Sequence, residues 1–401
     1  MSISQSKTGS VFGGILLIAG SCIGAGMLAL PVVTGQGGFL PALLMFLIAW
    51  IFMTLTGFLL LEANLTVGHE LSLISLVRNT LGKPGKLLCW ILFIFLFYSL
   101  NIAYIAASGS ILQTICADLF GIHLSLWMGS FLFTVICGAT LLIGTRPVDY
   151  LNRLFMLGLI LTYLLLIGLG SLYIHPTYLT ESHWEYSLTA LPVLIISFGF
   201  HNMIPTLALY FQGDKKRLCR TIFIGSSLPL LIYLLWEAIM LGIIPIQGRE
   251  GLAHALNQGE AATEALRAVV GKAWISTTAQ CFAFFAIVTS FLAQSLSLVD
   301  FLSDGIRVSK KGGMRLFLVG ITLFPPFVFA FLYPNIFIKA LNIAGGFVAT
   351  ILFGVLPVLM VWILRKQPGT EKYKILKGGH ALLLVILATA IGIFSLQALH
   401  L

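Results

Sequence analysis

Two short motifs interrupt long apolar stretches of the sequence with residues that disfavour a helix. Residues 20–28 contain three glycines and precede Pro31, and residues 197–205 contain His201 and Pro205. Glycine weakens a helix because its backbone is conformationally free, and proline removes one backbone N–H donor. A helix broken inside a membrane exposes N–H donors at the start of its second half and C=O acceptors at the end of its first half. Together, two such breaks can bind the opposite charges of a zwitterion.

The first break supplies the predicted contacts for a carboxylate. The amides of Gly24, Ala25 and Gly26 would donate to it, since the two glycines have no side chain to block its approach. The carbonyls near Ile23 and Phe198 would face an ammonium group. A small-residue face for helix packing is the alternative interpretation. The occurrence of breaks at corresponding positions in the two halves favours binding, because paired broken spans are typical of inverted-repeat transporters.

Two ionisable side chains lie deep in apolar segments, where charged groups are costly and therefore candidates for function. His201 could bind substrate or carry a proton; alternatively, it is a neutral histidine that satisfies freed carbonyls. Glu237 has no basic residue at comparable depth, so it could exchange a proton or be a protonated carboxyl within the bundle. Thr289 and Ser290 could offer hydroxyl oxygens to an ion, although such hydroxyls also bond their own helix backbone.

The composition requires a membrane protein. Of the 401 residues, 59% are apolar and 9% are charged, whereas soluble chains have about 25% charged residues. Eleven segments are long enough to span a bilayer, which needs about 20 apolar residues. We therefore predict one all-α polytopic membrane domain over residues 1–401. The approximate spans are 10–33, 38–62, 87–115, 124–144, 153–175, 187–211, 219–246, 273–300, 314–333, 337–363 and 379–398.

Lysine and arginine predict the orientation, because positive loops resist translocation. With the N-terminus inside, nineteen of them lie in cytoplasmic loops and four lie outside. Eleven spans then predict a cytoplasmic N-terminus and an external C-terminus. Adding or removing a central span would invert every later loop and remove the asymmetry. The basic residues lie in short clusters between apolar stretches, which favours lipid headgroups over nucleic acid as their partner.

Three motifs together resemble the hydroxy and aromatic amino acid permease family, specifically its tyrosine- and tryptophan-specific permeases within the amino acid–polyamine–organocation superfamily. They are residues 24–31, 197–205 and 289–301. The resemblance covers essentially the whole chain and matches the eleven-span layout. It implies a leucine-transporter-like fold, with a 5+5 inverted repeat and one extra helix. The repeats would cover about 10–175 and 187–363, and the extra helix about 379–398.

The resemblance also implies import of an aromatic amino acid, tyrosine first, by proton-coupled alternating access across a bacterial cytoplasmic membrane. Tyr104 in the third span would hydrogen-bond the substrate carboxylate. Phe198 and Phe200 would stack on an aromatic substrate, although most aromatic residues of the chain must simply pack. Gly199 and Asn202 complete the predicted binding set at the second break. The fifth span lacks the lysine of some superfamily relatives, so a lysine-based proton mechanism has no basis here.

Other classes of protein lack their motifs in this sequence. There is no GxxxxGK[ST] loop for an ATP-driven pump and no HExxH or GxSxG for an enzyme, so we expect a gradient-driven transporter without cofactor or metal. A proton or sodium ion would be the coupling ion, and no obligate protein partner is inferred. An ion channel is the main rival class, because broken helices also line pores, but the rings of charge common in selectivity filters are missing. Tryptophan or a broader set of neutral amino acids are the alternative substrates.

Overall fold

The chain is built almost entirely from helices, as the apolar segments predict. The structure, a computed structural model, describes residues 10–68, 71–271, 273–309 and 312–399, and no β-strand is formed within these ranges. A helix satisfies its own backbone hydrogen bonds, which is why it can cross a bilayer. The helices are α1 (Val11–Cys22), α2 (Gly26–Thr34), α3 (Phe39–Val67), α4 (Leu73–Phe120), α5 (Leu126–Ile143), α6 (Thr145–Gly170), α7 (Leu191–Ser197), α8 (Met203–Tyr210), α9 (Lys215–Ile243), α10 (Leu252–Gln258), α11 (Ala262–Val270), α12 (Ala273–Ile306), α13 (Gly312–Leu332), α14 (Phe337–Ile343), α15 (Leu356–Leu364) and α16 (Gly379–Leu399).

The described helices confirm a polytopic all-α membrane protein. Within the described ranges, nine helices are long and apolar enough to cross a membrane, or ten if the bent pair α1 and α2 forms one span. The predicted span 187–211 is divided between α7, with its preceding 3₁₀ turns, and the short α8. The total of eleven spans, the repeat bounds and the orientation stay predictions. Four of the counted charges, Lys7, Lys272, Lys310 and Lys311, lie outside the described residues.

α4 begins earlier than the third span predicted at 87–115, because a second helical segment precedes that span. Gly82 has φ 75° and ψ −163°, which interrupts the helical geometry of α4, and Pro84 follows it. Glycine reaches this positive φ readily because it has no Cβ. The part of α4 before Gly82 is therefore a separate helical segment that precedes the membrane span.

The two interrupted spans meet at the centre of the bundle. α2 packs against α7, α9 packs along α1, and α12 packs against α6 and α4. α7 also packs against residues 344–355, a π-helical segment between α14 and α15. Gly345 allows this approach, because a Cβ at that position would collide with the carbonyl oxygen of Pro192 in α7. The absence of one side chain thus lets the tenth span contact the broken sixth span through its backbone.

Two short helices cover one end of the bundle. α10 and α11 both pack against α2, and α11 also packs against α9 and α12. α11 carries Glu264 in its first turn and Arg267 in its last, where each charge is favourable for the helix dipole. Arg267 Nη2 lies 3.3 Å from both carboxylate oxygens of Asp118 in α4. This ion pair links the covering helices to the span beneath them.

Candidate functional site

The first break lies between α1 and α2, which bend by 59° where they meet. The Ala25 N–H donates to Ser290 Oγ of α12 over 2.9 Å. Among the described residues, the N–H groups of Gly24 and Gly26 have no hydrogen-bond partner. A Cβ at Gly26 would lie 3.0 Å from Ser197 Oγ, and a Cβ at Gly24 would collide with Ser290 Oγ. The two glycines therefore leave backbone donors available at a place with no room for a side chain.

The second break lies between α7 and α8 and is partly closed by its own turns. The Gly199 N–H donates to the Ile196 carbonyl, and the Phe200 N–H donates to the Phe198 carbonyl, each over 3.0 Å. The Phe198 carbonyl, predicted to face an ammonium group, thus already has one donor. The break is less open to a ligand through its backbone than the first one.

Tyr233 of α9 joins the two breaks. Its hydroxyl oxygen lies 2.6 Å from the Cys22 carbonyl oxygen and 2.9 Å from the Ser197 carbonyl oxygen. Cys22 and Ser197 are the last residues of α1 and α7, whose final carbonyls have no donor within their helix. The hydroxyl has one proton, so the two helix ends share it. This role of Tyr233 cannot be read from the sequence, because the three residues are far apart in the chain.

Trp236, also in α9, compensates for a missing donor in α2. Pro31 lies inside α2 and has no N–H, so the carbonyl of Met27 loses its helical partner. The Trp236 indole N–H donates to that carbonyl over 3.1 Å. Trp236 is fully buried, and so is the repaired position. α9 therefore supplies the donor that the proline of α2 removes.

A cavity of about 200 Å³ lies between the breaks and gathers most of the predicted site residues. It includes residues from α1, α2, α4, the second break and α12, which are separated in sequence but adjacent in the bundle. The predicted residues that line it are Ile23, Gly24, Ala25, Gly26, Tyr104, Gly199, Asn202, Thr289 and Ser290.

Three predicted side chains of the second break do not line the cavity. Phe198 is fully buried, and Phe200 stacks on His201 with ring centroids 5.0 Å apart. The His201 ring also stacks on Phe353 at 4.8 Å, and its Nε2 lies 2.9 Å from Thr56 Oγ1. The His201 ring is thus held inside the protein behind the cavity wall, and its predicted contact with substrate stays a prediction.

Glu237 lies one turn beyond Tyr233 on α9, fully buried and outside the cavity lining. Its Oε1 is hydrogen-bonded to the Thr34 hydroxyl of α2, and Oε2 has no hydrogen-bond partner among the described residues. The same hydroxyl lies 2.7 Å from the Leu30 carbonyl oxygen. A hydroxyl has one proton, so when Thr34 donates to Leu30 it can only accept from Glu237. This arrangement fits a protonated, neutral carboxyl.

The hydroxyls considered for an ion site have partners in the protein. Thr289 Oγ1 donates to the Phe285 carbonyl of its own helix over 2.8 Å, as buried threonines often do. Ser290 accepts from the Ala25 N–H and also interacts with the Tyr104 hydroxyl. Ser290 thus connects the first break with the third span.

The cavity also contains residues that sequence reasoning missed. One of these residues is Phe353, which lies in the π-helical segment. The glycine pair at 345–346 signals close packing in this span, yet it does not show which way Phe353 points. The other lining residues that were not predicted are the apolar Cys22, Leu96, Leu100, Met156, Ile196, Met203, Ala293 and Leu341, the polar Ser21, Asn152, Ser197, Gln294 and Ser297, and Gly20.

A second space of about 410 Å³ continues from the cavity towards the beginning of α6. The two spaces share Asn152, Ala293 and Ser297. Arg146 and Asp149 line the outer part of this vestibule. The cavity is therefore open towards the end of the bundle where α6 begins, and the covering helices α10 and α11 lie at the opposite end of the bundle.

The sequence itself matches known transport proteins over nearly its full length. The profile of the tryptophan/tyrosine permease family matches residues 7–396. A tryptophan-specific transport protein of Haemophilus influenzae is 32% identical, over 96% of this chain and 94% of the relative. The tryptophan-specific transport protein of Pseudomonas aeruginosa is also 32% identical (96% and 93% covered), as is tyrosine-specific transport system 1 of Haemophilus influenzae (96% and 95%). The chain is a membrane transport protein, not an enzyme, and belongs to the tryptophan/tyrosine permease family.

Proposed function

We propose that this protein imports an aromatic amino acid, with tyrosine as the first candidate, by proton-coupled alternating access across a bacterial cytoplasmic membrane. The observation that supports this function is the cavity between two helix breaks, where unpaired backbone donors meet an apolar wall. Relatives at 32% identity are named for tryptophan or for tyrosine, which agrees with an aromatic substrate. Tryptophan is the second candidate for the same reason.

The charged end of the substrate would bind at the first break. The free N–H groups of Gly24 and Gly26 lie at the positive end of α2 and would donate to the carboxylate. The Tyr104 hydroxyl, beside Ser290, would add a side-chain donor. The ammonium group would donate to the final carbonyls of α1, such as that of Ser21, because these carbonyls have no donor within the helix. One break therefore satisfies both charges of the zwitterion.

The side chain of the substrate would extend along the apolar wall of the cavity. Leu96 and Leu100 of α4 line it two turns and one turn before Tyr104, and Ile196 and Phe353 line it from the sixth and tenth spans. Burial of an aromatic ring against such a wall stabilises binding in proportion to the apolar area removed from water.

The structure would represent the state that releases substrate inside the cell. The cavity is continuous with the vestibule near Arg146 and Asp149, and Arg146 belongs to the loops that carry the predicted excess of positive charge. With the predicted orientation, that end of the bundle faces the cytoplasm. The α10 and α11 helices and the buried Glu237 would then lie on the external side. Import would require this side to open while the vestibule closes.

Glu237 is the residue we assign to proton coupling. It is buried against Thr34 in an arrangement that fits the protonated form, and among the described residues no basic side chain pairs with it. Thr34 ends α2, so opening of the external side would move the partner of this carboxyl and expose it to water. A carboxyl that alternates between these environments would exchange a proton once per cycle.

The coupling assignment is tested with Glu237→Gln. The amide can donate to Thr34 as the protonated carboxyl does, so the variant should insert and fold normally. We expect uptake to lose its stimulation by an inward proton gradient, while Glu185→Gln, at an exposed position, keeps it. If the variant retains the wild-type stimulation, Glu237 does not carry the coupled proton.

The substrate is tested by uptake of radiolabelled tyrosine into proteoliposomes. We expect an inward proton gradient to stimulate uptake, and unlabelled tyrosine to compete more strongly than tryptophan, phenylalanine or leucine. Stronger competition by tryptophan would replace tyrosine as the substrate while keeping the mechanism. Gradient-independent, non-saturable flux would contradict the transporter and favour a pore.

A further inference from the structure

The aromatic surface of the cavity comes from a side chain outside both breaks. Among the described residues that line the cavity, the aromatic side chains are Tyr104 and Phe353. The Tyr104 hydroxyl is engaged with Ser290 at the end where the charged groups would bind. We propose that Phe353 selects aromatic over aliphatic substrates, and that His201 is a positioning residue that holds the Phe353 ring. The inference deepens the proposed function and rests on it.

Three stacked rings support this assignment. The His201 ring stacks on Phe200, with centroids 5.0 Å apart and planes at 26°, and on Phe353, with centroids 4.8 Å apart and planes at 15°. Thr56 Oγ1 lies 2.9 Å from His201 Nε2 and fixes the middle ring in its plane. Because one face of Phe353 is covered by a ring that cannot turn freely, the orientation of Phe353 is fixed as well. A rigid ring at the cavity wall binds another ring at a lower entropic cost than a mobile one.

The cavity side of Phe353 is left open by Gly199. A Cβ at position 199 would lie 3.6 Å from Phe353 Cε2, so a larger side chain there would extend beside the ring edge. Gly199 itself lines the cavity. The second break thus contributes to aromatic binding through the absence of a side chain, whereas its own Phe198 and Phe200 are buried behind the wall.

The local helix geometry is a second, independent observation that supports a role for Phe353 in substrate binding. Phe353 lies in the π-helical segment 344–355, and the Thr350 hydroxyl donates to the Gly345 carbonyl five residues earlier over 2.9 Å. π-helical segments are rare and occur frequently at functional sites. The wider turn changes the direction of the side chains that follow it relative to an α-helix. In this span the altered register places Phe353 at the cavity.

His201 is better suited to this structural role than to carrying a proton. Its ring does not line the cavity, and in the described part of the chain Thr56 is its one hydrogen-bond partner. A proton carrier needs a path to water or to the substrate, and the imidazole is fully buried, with Thr56 at Nε2 and no partner at Nδ1 among the described residues. The stacking itself needs a flat ring of similar size but no titratable group.

The decisive measurement compares competition by aromatic and aliphatic amino acids in Phe353→Leu. Labelled substrate uptake in proteoliposomes is measured against increasing tyrosine, tryptophan and leucine. We expect the half-inhibitory concentrations of the two aromatic competitors to rise about two- to tenfold, the range for a lost aromatic pair, while that of leucine stays constant or falls. Phe97→Leu is the matched control, because Phe97 is a buried aromatic that contacts Phe93 and Phe301 and does not line the cavity.

Equal shifts for all competitors, or no shift, would overturn the assignment of Phe353. The wild-type protein tests the proposed function separately: if it transports no aromatic amino acid, that function has failed before any variant is compared. Should Phe353→Leu not insert, Phe353→Tyr decides instead, because it keeps a ring and should keep the aromatic preference. Loss of that preference in a well-folded Phe353→Tyr protein would also contradict the proposal.

The role of His201 is tested with two replacements. His201→Phe keeps a flat ring between its neighbours, whereas His201→Leu removes it. We expect His201→Phe to retain both the aromatic preference and the proton-gradient stimulation, and His201→Leu to lose the preference by the same two- to tenfold factor, about that of one aromatic pair. Loss of gradient stimulation in His201→Phe would show that the imidazole itself is required and would refute the positioning role.

Discussion

Removing the hydroxyl of Tyr233 should loosen the joint between the two broken spans. In Tyr233→Phe the ring keeps its contacts with Phe46 and Phe198, at centroid distances of 6.1 Å and 5.3 Å, so the change isolates the hydroxyl. The final carbonyls of α1 and α7 then lose the proton they share. Leaving one buried acceptor unpaired costs about 1–3 kcal/mol. Because the hydroxyl has a single proton, the cost is that of one carbonyl and not of two.

This cost should appear in both stability and transport. At about 2 °C per kcal/mol, the lower end of the range for larger chains, the apparent melting temperature should fall by about 2–6 °C. The measurement is a fluorescence thermal-shift assay on the detergent-purified protein, followed by uptake in proteoliposomes, which should be slower. Tyr150→Phe is the matched control, since Tyr150 is 72% exposed and its change should stay within about 0.5 kcal/mol.

A melting temperature of Tyr233→Phe equal to that of the control would refute the reasoning. It would mean that the two carbonyls find other donors, such as water from the cavity, and that α9 does not hold the breaks together. An unchanged melting temperature with reduced uptake would place the hydroxyl in transport alone and would equally contradict its structural role.

Three further predictions concern the elements around the site. Gly26→Val should abolish uptake while leaving membrane insertion intact, because its Cβ would lie 3.0 Å from Ser197 Oγ and the branched side chain would block approach to the backbone donors; wild-type uptake would remove this glycine from the site. Trp236→Phe should lower the free energy of unfolding by about 1–3 kcal/mol. The loss should be smaller in a Pro31→Ala background, because the new N–H at position 31 can donate to the Met27 carbonyl in place of the indole. Equal losses in a thermal-shift double-mutant cycle would contradict that pairing. Arg365→Met should lower the free energy of unfolding by about 3–5 kcal/mol, because the buried Glu62, whose side chain is 4% exposed, loses its ion-pair partner at 2.7 Å. Retained thermal stability would show that another group pairs with the Glu62 carboxylate.

Local features of the sequence predicted where the helices break. Residues 20–28 and 197–205 contain the glycines and prolines that weaken a helix, and the structure interrupts its helices at 23–25 and 198–202. This worked because a missing Cβ or a missing N–H acts on the backbone of its own turn. The early start of α4 was not predicted, because the helical segment before Gly82 is less apolar than the span it joins.

Contacts across the bundle were beyond such local reasoning. Tyr233 and Trp236 are ordinary aromatic residues of an apolar helix in the sequence, and their roles arise from carbonyls about 36 to 211 positions away. Likewise, the aromatic residues of the second break, Phe198 and Phe200, are natural candidates for stacking on a substrate. The structure instead buries both and brings Phe353, from another span, to the cavity.

The sequence by itself determined that this chain is a helical membrane protein and where its first and sixth spans are interrupted. The tertiary structure alone decided which side chains face the cavity. The physical reason is that the periodicity of apolar residues shows which side of a helix is buried only when the other side meets water. A membrane helix can be apolar on all sides, because lipid and protein neighbours are both apolar, so facing is decided by packing between spans that are distant in the chain.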